Sequence, residues 1–436
     1  MSIRSLSGAV NMVNTKQVFA DLRKIVPVIT FAKKADTRKY LKMLNIIADR
    51  VNTAEKYALL DEYVIKVVKA GDVIDFASGS PDPRLLPKED IKKIALEVID
   101  EYGHEAFSYP PPVGLKKLRN AIKLLLTNLG VSIPRSKVIV TSGAVRAIEL
   151  AGTLLLDKSS YAVAEEPTYS QALYPLYLMS KEVKYVPLKD YRDLNTDTLA
   201  ALLRKSPTKI YYTIPTGHNP TGTTFNSRVR NEVAELMREY NVVIIEDDVY
   251  RTVLGGEAPE PISAICARRS HPYIYLSSLS KVLAPGLRIA CMLVPEELFP
   301  YIRAVASNTL TLSPLTMLIA YEAIRSGFLA TRIHKLSREF RERMKALKDS
   351  LRDNMSSYAH WNEDAEGYYI FIKVKGVNMI KLFNDALRKG VGYVPGDAFL
   401  YDHIDPETAR LCIARPNTEE ISEGIKRLAE VIKESK

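Results

Sequence analysis

The sequence predicts an α/β protein in which a mostly parallel sheet of seven strands is sandwiched by helices and followed by a smaller α+β domain. Seven short apolar runs carry this expectation, near residues 138–141, 161–164, 183–187, 210–214, 242–246, 274–276 and 289–294. Helical stretches at 145–156, 194–205 and 226–240 separate several of them, and strands alternating with helices form parallel sheets covered on both faces. After residue 300 the pattern changes. A long helical region rich in Arg and Lys spans 315–354, strands are expected near 368–374 and 410–414, and a helix closes the chain at 419–434. Ligands of open parallel sheets sit beyond the carboxyl ends of the strands, and in this chain the chemically notable residues follow one strand after another.

From the beginning, residues 1–50 carry ten basic residues against three acidic ones, so they supply +7 of the net +10. The remainder is nearly balanced and calls for no polyanionic partner. The basic segment has candidate helices at 15–26 and 36–50 and apolar residues such as Val18, Phe19, Leu22 and Ile25. Lacking interleaved aromatics or a binding motif, it reads as an arm against the rest of the chain or a partner subunit, not as a nucleic-acid site. A helix follows over 53–69, with Leu59, Leu60, Val64 and Val67 at helical spacing and Gly71 as its stop. Then come a turn-rich stretch at 78–83, a helix over 87–102, a proline-rich loop from Tyr109 and a helix over 115–129.

Composition excludes several classes. With 436 residues, 47% hydrophobic and 26% charged, the chain is a soluble globular protein of two or three domains. No apolar run approaches the roughly 18 residues of a membrane helix, and no signal pattern opens the chain. Cys266, Cys291 and Cys412 lie far apart without metal spacing, as expected of a reducing, cytoplasmic compartment.

The chemistry centres on Lys281, which stands between two runs read as short buried strands. Burial disfavours a charged ammonium, so such a lysine is paired or reactive, and its free amine can form a Schiff base. Hydroxyls at Ser277, Ser278 and Ser280 and the guanidinium of Arg288 are donors suited to a phosphate. A phosphate-bearing aldehyde, pyridoxal 5′-phosphate, meets both demands.

Ser278-Leu-Ser-Lys281 followed by Pro285-Gly-Leu-Arg288 resembles the lysine signature of the fold-type I pyridoxal-phosphate aminotransferases of class I/II. The lysine-to-arginine spacing is similar to that of the 2-aminoadipate and kynurenine aminotransferases. The resemblance covers roughly 55–434 and implies a role for each strand-end motif. Gly143, Ala144 and Val145 would bind the phosphate through backbone N–H groups at a helix start, although alone Gly143 is a weak signal that equally fits a tight turn. The family often has Ser-Gln where Ala144 and Val145 stand, and Arg146 either compensates or points to solvent. Tyr169 would stack on the pyridine ring. Asn219, in Asn219-Pro-Thr-Gly222, would bind the ring's 3′-oxygen and border the substrate, with His218 a loop neighbour. Asp247, in Glu246-Asp-Asp248, would pair with the ring nitrogen, and Tyr250 would reach the 3′-oxygen. A metal site would use the same three acids but finds no matching His or Cys ligands. Lys281 would shuttle the proton, with Asp247 and Tyr250 in the catalytic set, while Ser278 and Arg288 hold the phosphate. Arg410 would clamp the substrate α-carboxylate and Gly79 would approach the substrate with its backbone. Tyr109 would reach the phosphate of a neighbouring subunit, which implies a homodimer with shared active sites.

The family's organisation implies a basic helical extension over 1–50, a segment over 51–112 joining the small domain, a large cofactor-binding domain over 113–314 and a small domain over 315–436. The implied activity is transfer of an amino group from an amino acid to a 2-oxo acid, with 2-oxoglutarate as acceptor, by ping-pong kinetics. A same-fold lyase uses the same ring and lysine. A transcription regulator with an aminotransferase-like domain needs a helix-turn-helix, for which residues 1–50 carry no clear pattern. The amino-acid donor is not legible.

Overall fold

The computed structural model describes residues 54–309 and 312–435. The chain divides into the units Met1–Lys56 and Tyr57–Lys436, and the architecture below is that of the second. The helices expected at 15–26 and 36–50, and the extension over 1–50, lie outside the described residues.

In chain order, α1 (Ala54–Ala70) leads to β1 (Ile74–Asp75), α2 (Lys88–Tyr102) and α3 (Lys116–Asn128). The alternating part contains β2 (Ser136–Thr141), α4 (Ala144–Leu155), β3 (Tyr161–Glu166), α5 (Ser170–Met179) and β4 (Glu182–Lys189). It continues through β5 (Asp193–Leu194), α6 (Thr196–Lys205), β6 (Thr208–Thr213), α7 (Ser227–Glu239) and β7 (Val243–Asp247). It ends with α8 (Ile262–Arg268), β8 (Tyr273–Ser278), β9 (Ala290–Pro295) and α9 (Phe299–Ser307). The last part holds α10 (Pro314–Arg325), α11 (Phe328–Met355), β10 (Ala359–Trp361), β11 (Tyr369–Val374), α12 (Met379–Arg388), β12 (Val391–Gly392), β13 (Val394–Pro395), β14 (Thr408–Cys412) and α13 (Thr418–Glu434).

All seven expected strands form, and β5 joins them as a two-residue edge strand, giving eight in the order β2-β9-β8-β7-β6-β3-β4-β5. Strands β8, β7, β6, β3 and β4 run parallel, whereas β9 is antiparallel to both neighbours and β5 is antiparallel to β4. The parallel strands are covered on both faces and therefore read as nearly continuous apolar runs, with Ile244, Ile245, Ile274 and Leu276 fully buried. Because β9 reverses, the residues just before it return to the edge where the parallel strands end.

A four-stranded sheet of order β10-β11-β14-β13 is antiparallel throughout, and β1 pairs in parallel with β12. The helical region expected at 315–354 is two helices, broken at Gly327, whose φ of +78° ends the first. Four of the described helices escape sequence reading. Helix α5 hides behind its internal Pro175, α8 is only seven residues long, α9 starts beside Pro300, and α12 lies between β11 and β12 in the chain. Among the described residues, no helix is long and apolar enough to cross a membrane.

Candidate active site

The carboxyl ends of the parallel strands deliver their loops to one cavity of about 360 Å³. Lys281, Asp247, Tyr250, Tyr169, Asn219, Ser278, Arg288, Arg410, Gly79, Ala144 and Val145 line it. Another cavity, of about 400 Å³ between α11 and residues 253–257, contains none of them. Tyr109 is not brought to the chain's own cavity and stands 90% exposed.

Period-two alternation resolves the three acids at the end of β7. Glu246 accepts the Ile262 and Ser263 amides at the start of α8, at 2.9 and 2.7 Å, and lies 3.5 Å from buried Arg230. Asp248 pairs with Arg251 and accepts the Tyr275 hydroxyl at 3.0 Å. Only Asp247 faces the cavity. Its Oδ2 accepts the Tyr212 hydroxyl at 2.8 Å, while its buried Oδ1 has no partner among the described residues. Burial raises this carboxyl to about 6, and a cationic N–H donor at Oδ1 would lower it again. Among the described residues there is no cluster of three His, Cys, Asp or Glu that could hold a metal.

Lys281 Nζ donates to the Gly79 carbonyl at 2.7 Å, and burial lowers the ammonium to about 8. The amine and the backbone of Gly79 are therefore in contact. Gly79 has no room for a side chain, since an added Cβ would lie 2.5 Å from the Tyr369 hydroxyl. Arg410, 1% exposed, donates to Asn219 Oδ1 at 3.0 Å and to the Ala77 carbonyl at 2.5 Å. Its guanidinium packs on the rings of Tyr369 and Phe399, 4.6 and 4.8 Å from their centroids. The hydroxyls of Tyr250 and Tyr369 are 3.0 Å apart.

Gly143 caps α4 with φ 103° and ψ 161°, and no side chain caps the helix. An added Cβ would overlap Arg288 Nη2. Arg288, itself left-handed at φ 55°, reaches the Ser142 carbonyl at 3.4 Å. The first-turn amides of α4, the guanidinium of Arg288 and the hydroxyl of Ser278, which accepts the Ser280 amide at 3.2 Å, form a donor set for an anion. Arg146 instead pairs with Glu149 at 2.6 Å and with Thr309. His218 is wholly buried against Thr221, at 3.1 Å, and away from the cavity. The Tyr169 hydroxyl donates to Gln171, whose amide reaches Asp61 at 2.8 Å.

A pyridine ring with a phosphate fits this geometry. The orphaned Asp247 Oδ1 suits a ring N–H, the helix start and Arg288 suit the phosphate, and Lys281 suits an aldehyde. Sequence reasoning missed Tyr212, Tyr369 and the α1 residues Leu60, Asp61 and Val64, which also line or support the cavity. The pairs Tyr211-Tyr212 and Tyr368-Tyr369 signal a ring on each face of a strand, but only the sheet decides which ring meets the site.

Residues 71–428 match the family described as aminotransferase class I and II. An aromatic-amino-acid aminotransferase of Thermococcus litoralis is 32% identical, over 85% of this chain and 90% of its own. A 2-aminoadipate transaminase of Thermus thermophilus is 30% identical, over 85% of this chain and 92% of its own. The crystal structure of a Pyrococcus horikoshii kynurenine aminotransferase, solved in complex with PMP, superposes with a TM-score of 0.79. It is 30% identical and covers 94% of this chain and 98% of its own. With a match that spans the large sheet, the strand carrying Arg410 and most of the closing helix, this chain belongs to the aminotransferase class I and II family.

Proposed function

We propose that this pyridoxal-phosphate-dependent aminotransferase anchors its cofactor on Lys281 and transfers an amino group from an amino acid to 2-oxoglutarate by ping-pong kinetics. The observation that carries the assignment is the placement of the Lys281 amine in one cavity with the unpartnered Asp247 oxygen and the Arg410 guanidinium. When bound, the cofactor supplies an electron sink for charge that develops at the substrate Cα.

The chain's residues do the rest. Asp247 accepts the ring N–H and remains ionised opposite it, which fixes the electrostatic environment before charge develops. The α4 amides, Ser278 and Arg288 would hold the phosphate, and Tyr169 would cover the ring. Tyr250 and Asn219 donate to the ring oxygen. Arg410 takes the α-carboxylate in a fork-to-fork contact, which orients the Cα–H bond towards Lys281. Once the substrate amine has taken its place on the cofactor, Lys281 Nζ would be a free amine, able to take the Cα proton and hand it on.

We place the enzyme in the cytoplasm as a homodimer. Its three cysteines are free and buried, and Tyr109, which is 90% exposed, would reach the phosphate bound by a second copy. Light scattering of the purified protein measures the assembly, and a monomer at full activity would overturn it.

Absorbance decides the cofactor, and a donor panel with 2-oxoglutarate decides the reaction. A protein that takes up no added pyridoxal phosphate ends the reading. Pyruvate and ammonia from a donor with a β leaving group, without steady amino transfer, assigns a lyase instead.

A further inference from the structure

Among the described residues, four cations line the Lys281 cavity, namely Lys281, Arg288, Arg410 and Arg415. The first three have tasks in the reading above. Arg415 does not. Its Nε is buried and has no hydrogen-bond partner among the described residues. Nearby arginines are engaged: Arg84 grips Asp82 and Glu420 at 2.9 and 2.8 Å, Arg343 pairs with Glu339 at 2.8 Å, and Arg332 donates to the Val282 carbonyl at 2.6 Å.

The backbone of Arg415 is held in place. Its carbonyl accepts Arg84 Nη2 at 3.2 Å and Arg343 Nη1 at 3.3 Å, and the preceding Ala414 carbonyl accepts the Asp82 amide at 3.0 Å. Arg410 lies within β14 and Arg415 just beyond it, so one chain segment presents two guanidinium groups to one cavity. Leu60, Val64 and Val68 of α1 line the same cavity with aliphatic surface. Asp61, the acid on that wall, has both oxygens 2.8 Å from Gln171 Nε2. A buried donor without an acceptor costs free energy, and a substrate carboxylate would satisfy it.

We propose that Arg415 binds the distal carboxylate of dicarboxylic substrates, 2-amino and 2-oxo diacids whose α-carboxylate lies on Arg410 and whose methylene carbons lie against α1. This rests on the aminotransferase site described above and adds the substrate class. Monocarboxylic donors would use the aliphatic wall and leave Arg415 to solvent, so one pocket admits both kinds and favours diacids.

The test is the donor half-reaction of the holoenzyme, followed spectroscopically with the amino acid alone so that no diacid acceptor is present. In Arg415→Gln, glutamate and 2-aminoadipate should lose about 10- to 100-fold in kcat/KM, the range of a lost charge-assisted hydrogen bond. Leucine and phenylalanine should stay within about threefold. Arg415→Lys, which keeps the charge, should recover part of the diacid rate. Without turnover, glutarate should raise the melting temperature of the parent holoenzyme and not of Arg415→Gln, while pentanoate should act alike on both. Equal losses for all donors, or unchanged diacid rates, overturn the assignment of Arg415. A parent that converts no amino acid at all overturns the site reading instead, so the two failures are distinct.

Discussion

Replacing Gly143 by alanine separates a phosphate cradle from a mere turn. At φ 103° and ψ 161° the residue occupies a region that only glycine enters freely, so alanine costs about 1–3 kcal/mol of stability. For a chain of 436 residues that lowers the melting temperature by roughly 1 °C per kcal/mol. The added Cβ also falls on Arg288 Nη2, the end of a flexible side chain, so the guanidinium gives way before the backbone does. If Arg288 holds the cofactor phosphate, its displacement removes a charge-assisted hydrogen bond of about 1.5–3 kcal/mol. That is about 10- to 150-fold in affinity. The assay is a spectrophotometric titration of the cofactor-free protein with pyridoxal phosphate, beside Arg288→Ala and the double variant. Arg288→Ala should weaken binding comparably, and the double variant should add little, because both changes remove one contact. An unchanged dissociation constant in Gly143→Ala, with only the melting temperature lowered, would refute the cradle and leave the glycine as a turn.

Lys281→Ala should keep the fold and bind pyridoxal phosphate without covalent attachment, with transamination nearly abolished; activity within about tenfold of the parent, a loss of only ~1.4 kcal/mol in barrier, would sink its assignment. Arg410→Ala should depress every amino-acid donor alike while preserving the bound cofactor's spectrum, and a loss confined to one side-chain class would move Arg410 to the specificity pocket. The pH dependence of the cofactor-free protein follows from Lys281, whose ammonium is held at about 8 instead of 10.5. Between these values the unfolded chain binds more protons than the folded one, so this lysine makes stability rise with pH across that window. Lys281→Met should therefore flatten the parent's denaturation profile there, and identical profiles would contradict a buried amine.

The strand–helix alternation was legible because strands buried on both faces must be apolar throughout, and their ends are marked by turn residues. The ordered motifs after those strands named Lys281, Asp247, Asn219, Arg288 and Arg410 for the same reason, since chemistry at a sheet edge leaves one piece after each strand. The short edge strand β5 and the helix α5 were not legible, because two residues carry no period and Pro175 resembles a stop. What the local pattern could not decide is which face each side chain takes. Glu246, Asp247 and Asp248 are equivalent acids in sequence. Only the sheet register and the start of α8 turn Glu246 and Asp248 to structural partners and leave one oxygen of Asp247 bare. Likewise Arg410 and Arg415 look alike as basic residues near the end of the chain. Long-range packing against residues 76–84 and α11 brings both to the cavity and, among the described residues, gives side-chain hydrogen-bond partners to the first alone. The sequence by itself determined the fold class and the order of the chemical groups, because burial and turn preferences are local. The tertiary structure alone decided which groups remain unsatisfied at the site, because satisfaction depends on partners that the sheet register and the packing of separate segments bring together.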